Sequence, residues 1–486
     1  MMIISGFDGN IFTETIQSDG DSLHRGGISL VSSLLTKHEN ELGRPITLIG
    51  NGDMLYGSPE AFYSNGEAMI QLLKRLPTGA LVLGPRDFYL TSQEIARLIN
   101  LAKAPAETAS QQDNIHSFPI LAANLQPAIF DSYVLLPDKQ HPSYAIIGII
   151  PPDAFEFLHP DQTKGYRLLN PMQTIRETRD MIREDYPNLD IYVMGHFVQR
   201  YDSHVALMKE MEGLEGITGV YGVTDQTDAV LEGNILYTPD SSRHYSLVES
   251  LHPLRSQEII EQPNEVVFDE QLSRILARFR MNTEKRGKRQ IGTCIFDIPY
   301  QTAEDNSWAH FITDILYKHV NQSMPIDAVL IHGDLLRAGG KMGPLTKLDL
   351  HQMLPFDDQL TVIHLSGQEL LDALNYSVSE AGPGGFLHPS SRISFNYYYD
   401  ETQGAYLNPN YVYVHNHRIY LTEEYQIAVP YSLVNGAYGY TMFMQGSAEI
   451  MMVIDPTIRT IVEEQISELF YISIPTEYRV VKIGNS

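Results

Sequence analysis

In the first half of the chain, short apolar runs alternate with longer stretches whose apolar residues recur at helical spacing. Residues 2–7, 45–50 and 80–83 are runs of strand length, and residues 28–42 and 67–76 between them carry the pattern of half-buried helices. Further strands are predicted at residues 144–150, 190–194 and 219–222. Strands separated by helices of this length predict a layered α/β domain. Each strand run ends near Gly, Asp, Asn or His, so polar groups gather at the strand mouths, where open α/β sheets place their ligands.

The texture changes near Pro263. Phe268, Leu272, Ile275, Leu276 and Phe279 form one stripe of a helix, which runs into the basic cluster Lys285, Arg286, Lys288 and Arg289. That cluster reads as a solvated hinge. From Gln290 onward, strands rich in Tyr, Val and Ile (residues 392–399, 411–414 and 425–429) predict an α+β domain. The expected organisation is one domain over residues 1–262, a linker helix and hinge over 263–289, and a second domain over 290–486.

Composition sets the outer bounds. A chain of 486 residues exceeds one core, and 43% hydrophobic with 19% charged residues is globular composition. Sixty acidic against 34 basic residues give a formal charge of -26, which argues against nucleic-acid partners. A phosphate-bearing ligand then needs a local positive charge or a metal to hold it. The single cysteine, Cys294, rules out an internal disulfide and a Cys-rich zinc site. The first residues lack a basic signal region, and no run of about 18 apolar residues occurs, so no membrane span is expected and the cytoplasm is the expected compartment.

Several short motifs occur in a telling order. They are Gly52-Asp53 followed by Tyr56-Gly57-Ser58, the segment 118–124 ending in Asn124, Leu354-Pro355-Phe356, the segment 365–370, and Gly385-Phe386-Leu387. In this order the chain resembles the 5′-nucleotidase family over nearly its whole length. The resemblance implies a four-layer α/β/β/α, calcineurin-like metallophosphoesterase domain, followed by an α+β nucleotide-recognition domain.

It also implies two divalent metals about 3.5–4 Å apart, held by five strand-end motifs. Asp8 matches the first carboxylate, with Asn10 in place of an imidazole, and Asp53 matches the bridging carboxylate. The third motif aligns with Gly84, Pro85, Arg86 and Asp87, so a ligand Asn has become Pro85 and a catalytic His has become Arg86. His196 keeps the fourth position. In the fifth, Val223 replaces one His, and Asp225 or Gln226 takes the other place. One ion would keep Asp8, Asn10, Asp53 and Asp225, an oxygen-rich set suiting Mg²⁺, Mn²⁺ or Ca²⁺ better than zinc. The other would keep only Asp53 and His196, so one divalent cation at most is expected. His196, Arg86 and Asp87 are the catalytic candidates, with Arg86 as a bidentate holder of an anion. The same residue types also cap turns and form ion pairs, so structural roles stand beside these.

In the second domain the resemblance places Arg337 among the nucleotide-gripping arginines and Phe356 on one face of a base sandwich. The opposite-face motif aligns with residues 431–439, where Ser432 replaces the expected Phe; Tyr431, Tyr438 and Asn435 remain as substrate-binding candidates. These rings are equally compatible with core or interface positions. The implied reaction is metal-dependent hydrolysis of nucleotide phosphate monoesters, weakened or lost here. The alternative is an inactive pseudoenzyme that binds, regulates or assembles. A nucleotide or other small phosphorylated molecule is the expected ligand; a protein partner or homo-oligomer stays open.

Overall fold

Among the described residues, two six-stranded sheets build the first part of the chain. The computed structural model describes residues 1–18, 21–105, 115–156, 158–261, 266, 269–299, 304–400, 404–444 and 448–484. It divides into two units, Met1–Phe155 with Pro160–Thr283, and Glu156–His159 with Glu284–Ser486.

In the first sheet β1 (Met2–Ile4), β2 (Leu48–Asn51) and β3 (Thr78–Val82) run parallel, flanked by antiparallel His244–Glu249 beyond β1. In the second, β4 (Asp190–Val198), β5 (Gly219–Thr224) and β6 (Ile235–Pro239) run parallel. The period-2 alternation of side chains decides what each face buries. Ile3, Ile49 and Val82 of the first sheet share a core with Ile146, Met194, Tyr221 and Leu236 of the second. Their chain neighbours Ile147, Val193 and Val220 face the other way and pack on Ile182, Met208 and Met211 of helices Pro171–Asp185 and Asp202–Glu212. Helix Ile28–Leu42 buries Ile28, Val31, Leu34 and Leu35 and ends on Gly43, whose φ of 64° supplies the left-handed cap that stops it. The result is the α/β/β/α layering.

The second unit centres on a five-stranded mixed sheet in the order Leu387–Pro389, Ala328–His332, Glu424–Pro430, Leu360–Ser366, Glu449–Ile454. Val329 and Ile331 face one core, with Trp308, Ile312 and Leu316 of helix Ser307–Ser323. Ala328 and Leu330 face the other, with Leu370 and Leu374 of helix Gly367–Ser379. That helix starts where Ser366 and Glu369 satisfy each other's backbone N–H groups.

Three departures from the sequence expectation matter for the site. β1 stops at Ile4, because the chain turns at Gly6 (φ 59°) into Asp8 (φ 47°). β4 runs on to Val198, so His196 sits inside a strand and not just beyond one. The strand Ile235–Pro239 was absent from the expected set, yet it carries a site residue to its position. Helix Glu270–Gly287 lies in the expected linker region, of which Pro263 and Phe268 are outside the described residues. No helix among the described residues is long and apolar enough to cross a membrane.

Candidate active site

Residues on or beyond five strands converge. Asp8 follows β1, Asp53 follows β2, and Arg86 and Asp87 lie on the short helix Pro85–Tyr89 after β3. His196 comes from β4 and Asp240 directly follows β6. The backbone makes the convergence tight: Asp8 N–H donates to the Asp53 carbonyl at 2.8 Å, and Ser58 N–H donates to the Asp8 carbonyl at 2.7 Å. Asp8 and Asp53 both have positive φ, 47° and 54°, a conformation that non-glycine residues hold only where the surroundings impose it. A Cβ at Gly6 would fall on the Asp240 carboxylate, and one at Gly52 on the His196 ring, so glycine is required for this approach.

The Arg86 guanidinium occupies the middle. Its Nη1 donates to both Asp8 oxygens, at 2.8 and 2.7 Å, and its Nε lies 3.5 Å from Asp53 Oδ2. Its backbone N–H donates to Asp53 Oδ1 at 2.8 Å. His196 Nε2 lies 3.0 Å from Asp240 Oδ1 and 3.5 Å from Asp53 Oδ2. Burial alone would lower the His196 pKa, but the charges of Asp53 and Asp240 outweigh it and lift it to about 9. The imidazolium in turn holds Asp240 below its ordinary value against the effect of burial. Burial, aided by Asp53, raises Asp8 to about 6 even though Arg86 opposes it. Arg86 is raised well above its ordinary value, chiefly by Asp8.

The structure corrects the candidate list at three places. Asp87 is fully buried, and its oxygens accept from the backbone N–H groups of Asp53 (3.1 Å), Met54 (2.9 Å), Leu55 (2.7 Å) and Gly84 (2.8 Å). It ties the β2 and β3 loops together, a positioning task that leaves no face for substrate. Burial, with Asp53 adding, raises its pKa to about 7 despite the Gly84 and Leu55 bonds. Asn10 is exposed and only closes a turn, its N–H donating to the Phe7 carbonyl. Asp225 is exposed and lies 3.9 Å from Arg200. Asp240 supplies a carboxylate at the place where Asp225 was expected to give one: the ends of β5 and β6 pair at Thr224 and Pro239, and Asp240, whose N–H donates to the Thr224 carbonyl, reaches His196.

The expected oxygen-rich metal set therefore does not assemble. Of Asp8, Asn10, Asp53 and Asp225 only two converge, and both are bound to Arg86. His196 Nε2 is turned to carboxylates. Among the described residues no three His, Cys, Asp or Glu side chains form a metal-ligating group. The residues present do not fit a divalent ion alongside the guanidinium.

In the second unit a separate polar cluster forms. Ser432 Oγ donates to Asp358 Oδ2 at 2.6 Å and lies 3.5 Å from His332 Nε2. Tyr438 donates to Asp334 Oδ2 at 2.8 Å, and its ring centre is 5.0 Å from that of His332. The Arg337 guanidinium lies 3.6 Å from Asp334 and 5.3 Å from the Phe356 ring centre, a cation–π distance. Arg337, Phe356 and Tyr438 thus come together. Tyr431 and Asn435 bracket the turn that presents Ser432, with Tyr431 N–H donating to the Gln359 carbonyl and Asn435 N–H to those of Tyr431 and Ser432. Burial lowers His332 to about 4, with Arg337 reinforcing it against Asp334. Burial raises Asp358 to about 6 against the Ser432 bond. His332, Asp358 and Asp334 were not foreseen; the polar replacement Ser432 was the available signal.

A strand-end cluster on an α/β/β/α domain, followed by an α+β domain, defines the two-domain architecture of 5′-nucleotidases. Residues 288–445 match the family model of the 5′-nucleotidase C-terminal domain, so this part of the chain is such a domain and the chain as a whole has the 5′-nucleotidase fold. It is similar to the putative 5′-nucleotidase from Staphylococcus aureus, solved in complex with alpha-ketoglutarate, with TM-score 0.73, 14% identity, and 100% and 99% of the two chains covered. It is similar to the 5′-nucleotidase precursor from Thermus thermophilus with TM-score 0.70, 17% identity, and 99% and 98% covered. Among curated proteins, endonuclease YhcR of Bacillus subtilis is 20% identical over 381 residues, 74% of this chain and 30% of that protein. The 5′-nucleotidase of Vibrio cholerae is 24% identical over 163 residues, 32% of this chain and 27% of that protein. The matches thus span less than a third of the length of these curated relatives.

Proposed function

We propose that this protein has lost, or retains only weakly, the metal-dependent phosphoester hydrolysis of its fold relatives and acts as a ligand-binding or regulatory protein. The observation that carries the reading is the Arg86 guanidinium, bound to Asp8 at 2.7–2.8 Å and facing Asp53 at 3.5 Å, the two carboxylates a metal ion would need. A guanidinium supplies charge but generates no hydroxide, and with its high pKa it is no proton donor at neutral pH. The charge balance points the same way. Asp8, Asp53 and Asp240 are three carboxylates facing two cations, Arg86 and His196, so an incoming phosphate meets a net negative site.

Nucleotides remain the ligand class to test, because relatives are named 5′-nucleotidase and endonuclease. The decisive assay is phosphate release from nucleoside monophosphates and from a chromogenic phosphate monoester with added Mn²⁺, comparing the intact chain with Asp53→Asn. The expected result is no release above that variant's background. Rapid release that disappears in the variant overturns the reading and makes the chain a working hydrolase.

A further inference from the structure

The mismatch between the site and a metal ion has a positive content. Arg86 bridges two carboxylates that arrive on different strands: Nη1 holds both oxygens of Asp8 and Nε faces Asp53 Oδ2. The same residue's backbone N–H takes the other Asp53 oxygen at 2.8 Å. Asp8 and Asp53 are both in the left-handed region, and their loops are bonded to each other through Asp8 N–H and the Asp53 carbonyl. Such turns persist only when something over-determines them, and two carboxylates this near one cation repel each other once it is gone. His196, between Asp53 and Asp240, compensates one further charge and no more.

We propose that the Arg86 guanidinium is a resident counter-ion standing at the place of a metal ion, cross-linking the ends of β1, β2 and β3 so that the domain folds independently of divalent cations. The inference rests on the functional reading above, but it concerns what holds the site together and is read by a different measurement. Its corollary is a latent cation site. Without the guanidinium, Asp8, Asp53 and Asp240 face a space of guanidinium size with one compensating charge, and a small cation that enters relieves their repulsion.

The test is thermal unfolding of the full chain as wild type, Arg86→Ala and the neutral, similarly sized Arg86→Gln, in EDTA, with millimolar Mn²⁺, or with millimolar methylguanidinium. The wild-type midpoint is expected to be the same in EDTA and in Mn²⁺. Arg86→Ala is expected to melt lower, and a hundredfold excess of either cation over its dissociation constant then raises its midpoint by roughly 5–10 °C. The double variant Arg86→Ala with Asp53→Asn is expected to lose most of that response. If Arg86→Ala does not fold in EDTA, Arg86→Gln carries the comparison. A wild-type midpoint that climbs with Mn²⁺ overturns the proposal, and so does a failure of both cations to raise the midpoint of either single variant. Arg86 variants that respond to neither cation, together with no phosphate release by the wild type, sink this proposal alone; Asp53-dependent phosphate release that persists in EDTA sinks the functional reading alone, so the two failures are distinguishable.

Discussion

At the N-terminal cluster, charge is met by charge: three carboxylates are held by Arg86 and His196 over distances of 2.7–3.5 Å. At the C-terminal cluster, the buried His332 and Asp358 are pushed toward their neutral forms, and a hydroxyl, Ser432, stands between them. The first site sets a guanidinium between strand-end carboxylates. The second sets Arg337 and Phe356 together with a network of hydrogen bonds around Ser432 and Tyr438. A site built from ions depends most on its cations, because deleting one leaves buried carboxylates uncompensated. The second cluster, apart from its Arg337–Asp334 pair, consists of groups held toward their neutral forms and loses about one hydrogen bond at a time. The two halves of the chain therefore fail differently when cut.

The largest effect is expected at Asp53. It is 2% exposed and touches both cations of the first site. Asp53→Ala removes the shared counter-charge and puts a residue without local hydrogen bonding into a positive-φ position. It should cost about 2–5 kcal/mol in urea unfolding followed in the N-terminal unit, from the left-handed backbone imposed on Ala and the lost acceptor of the Arg86 N–H. Asp53→Asn should cost less, since Asn tolerates that conformation and keeps an acceptor for the Arg86 N–H. If Asp53→Ala costs under about 1 kcal/mol, the cluster is not the ionic unit described and the contrast collapses.

Ser432→Ala tests the other side of the comparison. It removes the 2.6 Å bond to Asp358 and leaves a buried carboxyl short of one donor, for an expected cost of about 1–3 kcal/mol. A cost equal to that of Asp53→Ala would show that the C-terminal cluster is also an ionic assembly. Because the residues share no partners, the double variant should show additive losses.

How far the sequence could lead follows from the same contrast. Asp8, Asp53, Arg86 and His196, singled out through family motifs at the ends of short apolar runs, lie together in the structure. What pairs with what was not legible. Arg86 was read either as a holder of an outside anion or as an ion-pairing residue, and the turns at Gly6 and Gly52 bring Asp8 and Asp53 to it. Asp240 went unseen because its strand, Ile235–Pro239, was missed, and the Asp225 nearest the motif stood in for it. Asp87 looked like chemistry because it follows Arg86; only the folded loops show four backbone N–H groups pointing at it. In the second unit the Tyr-, Val- and Ile-rich runs 392–399, 411–414 and 425–429 were read as strands, and of these only the last lies in the central sheet; Ser432 lies 100 residues from His332 and 74 from Asp358 along the chain and meets them only through strand order.

The smallest effect, and the one specific to the neutral site, is on pH dependence. His332 titrates near 4 in the folded chain against 6.5 ordinarily, so on acidification the unfolded chain takes up this proton first. Its contribution is complete above pH 6.5 and is lost as the pH falls toward 4. Asp358 titrates near 6 against an ordinary 3.8, so the folded chain takes up that proton first and gains stability over the fall from 6 to about 4. The two slopes have opposite sign and nearly cancel between about pH 6 and 4, which hides both in the wild type. Single variants uncover them. Relative to wild type, His332→Gln should become more stable with falling pH by about 1 kcal/mol per unit, and Asp358→Asn should become less stable by a similar amount. Denaturant midpoints of the C-terminal unit at about pH 6.5, 5.5 and 4.5 measure both differences. Two variants that track the wild type in parallel would mean that His332 and Asp358 are not held neutral, and the distinction between an ionic and a neutral site would fall with them.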